Sequence, residues 1–187
     1  MMILTLCTSI MCNILLTIGF IWKYREADRD DLTRLINYKS FIRKFNKYVR
    51  YATKRNIPMA ILFIDIDHFK KINDHYSHMA GDQAIKTVGQ RLNHEIKSTD
   101  LLARYGGEEF LICLKNCTLP AAKTVACRIL RSISANPLQI DEHSIQLTVS
   151  IGIASYPETA PDNLLRFADY HMYEAKRKGR NQMCAGN

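Results

Sequence analysis

A pair of glycines between two apolar runs constrains this chain more than any other feature. Leu101-Leu102-Ala103-Arg104-Tyr105 precedes Gly106-Gly107, and Glu108-Glu109-Phe110-Leu111-Ile112-Cys113-Leu114 follows. Two such runs separated by a glycine pair predict a β-hairpin. Glycine reaches the positive φ angles of a tight turn and lets a ligand come close to the backbone. Two carboxylates fall where the turn meets the returning strand. Strand neighbours point to opposite faces, so Glu108 and Glu109 are expected to do different work. A glycine turn beside acids suits a phosphate and its metal.

The rest of the chain alternates helical and extended patterns. Tyr38, Phe41, Ile42, Phe45, Val49 and Ala52 recur at helical spacing, with basic residues between them and Asn37 as a cap. This helix is expected to stop before Pro58. Met59 to Asp67 reads as a central strand, because a continuous apolar run implies cover on both faces. Asp65 lies at its end, where a lone buried carboxylate is costly. By itself Asp65 reads as a turn cap or as a cation ligand. Gly81 to Lys97 and Leu119 to Asn136 read as helices, the second with Pro120 in its first turn and Pro137 after it. Ile145 to Ala154 reads as a strand, with Gly152 permitting close packing or ligand approach. Asp162 to Lys178 is the last predicted helix. The sum is an α/β (α+β) domain in which the hairpin and late strands argue against an all-parallel sheet.

Gly106-Gly107-Glu108-Glu109-Phe110 resembles the signature of the GGDEF family, the diguanylate cyclases, in its Gly-Gly-Glu-Glu-Phe form. Further segments match in the family's order from Asp30 to Asn181, about four fifths of the chain. Asp30-Asp31-Leu32-Thr33-Arg34-Leu35-Ile36-Asn37 resembles Asp-x-Leu-Thr-Gly-Leu-x-Asn-Arg, with Arg34 replacing Gly and Tyr38 replacing Arg. These departures bear on coupling to an upstream module more than on chemistry. His68 to Asp82 resembles Asp-x-Phe-Lys-x-Ile-Asn-Asp followed by Gly-His-x-x-Gly-Asp, with Ser77 where Gly is usual. Val149 to Ala154 resembles Val-Ser-x-Gly-x-Ala. Ala168 to Asn181 resembles Ala-Asp-x-Ala-x-Tyr-x-Ala-Lys-x-x-Gly-Arg-Asn, with His171 replacing a small residue.

The resemblance implies a nucleotidyl-cyclase-like fold related to the polymerase palm, a central mostly antiparallel sheet flanked by helices. It implies condensation of two GTP to cyclic di-GMP and two pyrophosphates by a homodimer. Asp65 and Glu108 would hold Mg²⁺ or Mn²⁺ with the Ile66 carbonyl, and oxygen ligands suit such a hard cation. Glu108, Glu109 and Lys70 fall at its catalytic positions. Asn73 and Asp82 would read guanine: a carboxylate accepts from N1–H and N2–H, and an amide adds a further bond. Gly106 and Gly107 leave room for the triphosphate, and Lys176 and Arg180 would hold phosphates. Each pair also has a plainer reading, turn and cap duty for Asn73 and Asp82, and a dipole-favoured basic helix end for Lys176 and Arg180. Lys97 and Asp100 occupy the family's product-inhibition site, where Arg-x-x-Asp is common. An ammonium neither forks onto phosphate nor stacks on guanine as a guanidinium does, so weak product inhibition is expected.

Charge places the chain in the cell. Of its net +8, residues 23–55 carry eleven Lys/Arg against four Asp/Glu, and the remainder fifteen against fourteen. A nucleic-acid binder spreads its charge differently. The excess follows Met1 to Trp22, which carry no charge and read as one N-terminal transmembrane helix. Lys23 and Arg25 set the following domain on the cytoplasmic side of the inner membrane. A cleaved signal peptide is the other reading, against which the segment lacks a basic n-region. The expected organisation is a span at 1–22, a charged connector at 23–36 and the catalytic domain at 37–187, with membrane lipid, GTP and a second copy as partners. Any stimulus would come through the span, an upstream sensor partner or expression level. A catalytically silent GTP or cyclic-di-GMP binding module is the alternative in another class. The six cysteines show no metal-ligand spacing and read as reduced thiols.

Overall fold

A computed structural model describes residues 27–186. The expected transmembrane helix at 1–22 lies outside them. Among the described residues no helix is long and apolar enough to cross a membrane.

The chain runs β1 (Ile36–Asn37), α1 (Tyr38–Lys54), β2 (Met59–Ile66), α2 (Phe69–His75), α3 (His78–His94), β3 (Leu101–Gly106), β4 (Glu109–Lys115), α4 (Leu119–Ser134), β5 (Leu138–Ile140), β6 (His143–Ile145), β7 (Val149–Tyr156), α5 (Leu164–Arg177) and β8 (Met183–Ala185). Six strands form one sheet in the order β1-β3-β4-β2-β7-β8, while β5 and β6 pair with each other. The three inner pairings are antiparallel, and only the two edge strands add in parallel.

β2 is the middle of this sheet and is buried at all eight positions. Its alternation splits the core in two. Ala60, Leu62, Ile64 and Ile66 pack with Ala84, Val88 and Leu92 of α3 and Ala126 and Ile129 of α4. Met59, Ile61 and Phe63 pack with Phe41 and Phe45 of α1 and Ala168 and Met172 of α5. The two-residue period of a strand thus gives each side chain of β2 to one helical layer. Local chemistry sets the helix ends. Asn37 Oδ1 accepts from Ser40 N at 3.0 Å to start α1. Ser77 Oγ accepts from Ala80 N at 3.2 Å to start α3.

Several boundaries differ from the sequence reading. α3 begins three residues before Gly81 and ends three before Lys97, because Ser77 supplies the cap. Asp82 therefore sits inside the helix rather than capping it. The run Ile145 to Ala154 is not one strand. Gln146–Thr148 break it, so that β6 closes a small hairpin with β5 and β7 joins the main sheet. The two-residue turn of the β3–β4 hairpin is Gly107-Glu108, one residue later than the glycine pair, since Gly106 already pairs with Glu109. The short edge strands β1 and β8 carry too few residues for a readable alternation.

Gly152 of β7 lets α5 lie against the sheet. A Cβ there would overlap the Ala168 carbonyl oxygen and the Met172 nitrogen, both backbone atoms that cannot turn aside. Gly152→Ala is expected to destabilise the domain by about 3 kcal/mol through overpacking, checked by chemical denaturation.

Candidate active site

Asp65 is the one charged side chain in β2, and it is 4% exposed. It stands opposite Glu109 of β4 on one side and Ser150 of β7 on the other. Facing carboxylates repel. Lys176, in the last turn of α5, relieves this with Nζ 2.7 Å from Asp65 Oδ2. Burial pushes the Asp65 carboxyl up to about 6, in spite of the pull from Lys176 and helped by the charges of Glu108 and Asp67. Glu109 is also raised, by burial first and by the Asp65 charge second.

Asp67, just past β2, fastens three chain segments. Its carboxylate accepts from Thr148 Oγ1 at 2.8 Å, Ser150 Oγ at 2.6 Å and the Asn181 amide at 2.9 Å. The last bond depends on how α5 ends. Gly179, with φ 116°, bonds back to Lys176 O, and Arg180 N donates to Ala175 O at 3.0 Å. This paired closure turns the chain sharply after the helix. It brings Asn181 to Asp67 and sends β8 along β7, while the helix end keeps Lys176 over Asp65.

The hairpin turn is held from outside. Gly107 has φ 49°, the left-handed conformation glycine permits. Arg104 donates through Nε and Nη2 to Gly107 O at 2.9 and 2.7 Å. Its Nη1 reaches Asp30 Oδ2 at 3.2 Å. Burial alone would raise the Asp30 carboxyl, but the hydroxyl and amide of Thr33 and the Arg104 charge outweigh it and hold it below the usual range. The Asp30-to-Asn37 motif is thereby tied to the turn. Glu108 itself is a turn residue, and its carbonyl accepts from Ile66 N at 3.3 Å.

Of the residues singled out from sequence, the fold gathers Asp65, Ile66, Gly106, Gly107, Glu108, Glu109 and Lys176 at one end of the sheet. Asn73 of α2 lies against Gly81 of α3, the residue before Asp82. A Cβ on Gly81 would overlap Asn73 Oδ1. Asp82 is exposed, as are Lys70 and Arg180. Neither of those two cations forms an ion pair with the site carboxylates among the described residues. Lys97 and Asp100 lie at the far end of the sheet, beside Lys115. There Asp100 holds backbone, accepting from Lys97 N at 3.0 Å and Lys115 N at 2.9 Å. Asp67, Arg104 and Thr148 were missed in the sequence. Asp67 had a signal, as the second acid of Asp65-Ile66-Asp67, but its partners come from residues 81 and more positions away.

Among the described residues no three His, Cys, Asp or Glu side chains converge as a metal-holding cluster. The donor set nonetheless fits a magnesium ion, which is typically held by one or two carboxylates with the remaining positions left to water and phosphate. A buried carboxylate whose proton affinity is raised, flanked by two more acids, is stabilised by an added cation.

The family described as "Diguanylate cyclase, GGDEF domain" matches residues 27–182. The probable diguanylate cyclase DgcT of Escherichia coli is 39% identical over 161 residues, 84% of this chain and 35% of that protein. The coiled coil and GGDEF domain of DgcB from Caulobacter crescentus, solved with c-di-GMP, superposes with a TM-score of 0.89 at 28% identity over 97% of each chain. The active GGEEF domain of a diguanylate cyclase from Vibrio cholerae superposes with a TM-score of 0.76 at 28% identity, covering 82% of this chain and 98% of that one. The chain spans less than half the length of the curated relatives it matches, such as DgcT.

Because the native state binds the Asp65 proton more tightly than the unfolded chain does, stability falls as pH rises from about 4 to about 6. Asp65→Asn removes that dependence. The variant is expected to be more stable than the parent by about 3 kcal/mol above pH 6 and equal to it near pH 4, read from thermal melts without metal. Added Mg²⁺ should raise the melting temperature of the parent and not of the variant.

Proposed function

The chain belongs to the GGDEF-domain family of diguanylate cyclases, and from that premise we propose that it is a membrane-anchored diguanylate cyclase. It condenses two GTP to cyclic di-GMP and two pyrophosphates as a homodimer. The observation that carries this reading is the meeting of Asp65, Glu109 and Lys176 beneath the Gly107 turn. Carboxylates to hold a cation, an amine to meet phosphate and a turn without side-chain bulk stand together there.

In this reading Asp65 and Glu108, with the Ile66 carbonyl, hold the metal. Held there, a magnesium ion would supply positive charge that makes a 3′-hydroxyl more acidic and offsets charge at the α-phosphate. Lys176 exchanges Asp65 for the triphosphate, and Arg180 joins it from the turn after α5. A guanidinium fork matches phosphate oxygens. Lys70 reaches the same phosphates from the first turn of α2. Glu109 stabilises the arrangement across the strands. Asp82 accepts from guanine N1–H and N2–H, Asn73 adds a further bond, and adenine offers them the wrong pattern. Each 3′-hydroxyl attacks the α-phosphate of the GTP held by the other copy, and pyrophosphate leaves. One domain binds one GTP, so the symmetric product needs two domains face to face. Confinement to a membrane raises the frequency of that encounter. The third position of the signature is Glu in this chain, as in the name of the GGEEF relative from Vibrio cholerae.

The test is the full chain in lipid vesicles with GTP and Mg²⁺, followed by mass analysis of products and by released pyrophosphate. Cyclic di-GMP is expected, and GTP bound but unchanged would sink the reading. Glu108→Ala is expected to lower turnover at least about a hundredfold with the fold intact by circular dichroism. Asp82→Ala should lower the preference for GTP over ATP by about tenfold or more, read as the ratio of kcat/KM values.

A further inference from the structure

α1 presents a cationic stripe that the cyclase reading does not use. Lys39, Arg43, Lys47, Arg50 and Lys54 recur every three or four residues and are all exposed, which places them on one line along the helix. The face opposite buries Phe41, Phe45 and Ala52. No Asp or Glu occurs in α1. Among the described residues one carboxylate pairs with the stripe, Asp28 with Arg43 at 2.8 Å.

Two further observations say what covers this face. Beside the stripe, Lys44, Lys47 and Lys115 rim a hollow of about 310 Å³ whose floor is Tyr48, Tyr51 and Leu101. Tyr51 is 47% exposed, with the Arg55 guanidinium 4.2 Å over its ring. Cations around an exposed aromatic floor suit the boundary between headgroup and acyl chain. The chain also enters here. Asn37 Nδ2 donates to Ala27 O at 2.8 Å, and Asp28 accepts from Ser40 Oγ at 2.6 Å, so residues 27 and 28 are fastened to the first turns of α1. The charge-free run ends at Trp22. Five residues reach at most about 18 Å, and α1 is about 25 Å long.

We propose that the outer face of α1 docks on an anionic lipid surface, laying the helix along the membrane. This rests on the anchoring read above, which brings the first turn of α1 within reach of lipid. Stripe charges opposite acidic headgroups are complementary, and each adds to attraction within a Debye length. None of the residues assigned to the nucleotide lies on the stripe, so docking leaves that site open to a second copy.

The experiment uses the full chain in vesicles of phosphatidylcholine alone or with one third phosphatidylglycerol, labelled with a water-soluble amine-reactive ester and read by mass. Lys39, Lys47 and Lys54 are expected to label about fivefold more slowly on the anionic vesicles, with Lys86 and Lys123 unchanged. High salt should remove the difference. In Lys47→Glu/Arg50→Glu the protection of Lys39 and Lys54 should vanish. Equal labelling of the parent on both vesicles, or protection that survives in the double variant, overturns the proposal. Protection on neutral vesicles by added GTP or cyclic di-GMP also overturns it, in favour of a nucleotide. Flotation separates this from the anchor. A chain that fails to float with neutral vesicles removes the anchor. The stripe is then upheld by flotation with anionic vesicles alone and refuted by flotation with neither.

Discussion

A carboxylate inside the middle strand of the sheet is the constraint from which the working end of this protein follows. β2 is otherwise apolar, and neighbours flank it on both edges and both faces. Water cannot solvate Asp65 there, and a buried charge without a partner is among the costliest features a fold can carry. Lys176 offsets that cost, yet its position is not its own doing. It lies in the last turn of a helix that a left-handed glycine closes, returning the chain to Asp67. The two acids are therefore complementary. Asp67 is satisfied by three fixed donors and serves as a fastening. Asp65 is satisfied by one lysine, held at 2.7 Å.

How much of this the sequence carried depended on the length of each signal. β2 and the long helices were legible because their periods repeat over eight to seventeen residues. The β3–β4 hairpin was legible because glycine chemistry is local. Its turn fell one residue late because Gly106, adjoining an irregularity after Arg104, was still able to pair across the strands. Edge strands of two and three residues left no pattern. Residues that act by tying distant segments, such as Arg104, left no such signal. Arg104 reads as an ordinary strand cation until its guanidinium is seen to bridge Asp30 and Gly107 O. Nothing within a few residues of Arg104 specifies a partner 74 positions away.

The departures from the family pattern have different physical meanings. Arg34 stands where glycine is usual and keeps the backbone that glycine would adopt, at φ 60°. A side chain there costs about 1–2 kcal/mol. The turn nevertheless closes through Arg34 N to Asp30 O and Asp30 N to Leu35 O, both 2.8 Å. Asp30 and its link to the hairpin are thus retained at the expense of strain. Ser77 at φ 157° is close to fully extended and adds a cap, so that exchange contributes to α3. Tyr38 sets its ring edge-on to Tyr105 at 4.8 Å, and Tyr105 in turn meets Phe63 at 5.1 Å. An aromatic contact with the hairpin strand has taken the place of a charge.

The two ends of the sheet consequently answer to different demands. At the Gly107 end Asp65 faces a cation and Asp67 a set of donors. At the Lys97 end both oxygens of Asp100 are committed to backbone amides, and Arg128 is held by the side chain and carbonyl of Glu95. Those bonds fix the loop before β3 to the end of β4, which keeps the hairpin strands in register. Lys97 offers an anion there an ammonium, a point charge where a guanidinium would offer a planar fork. That loop is a sound foundation for the β3–β4 hairpin.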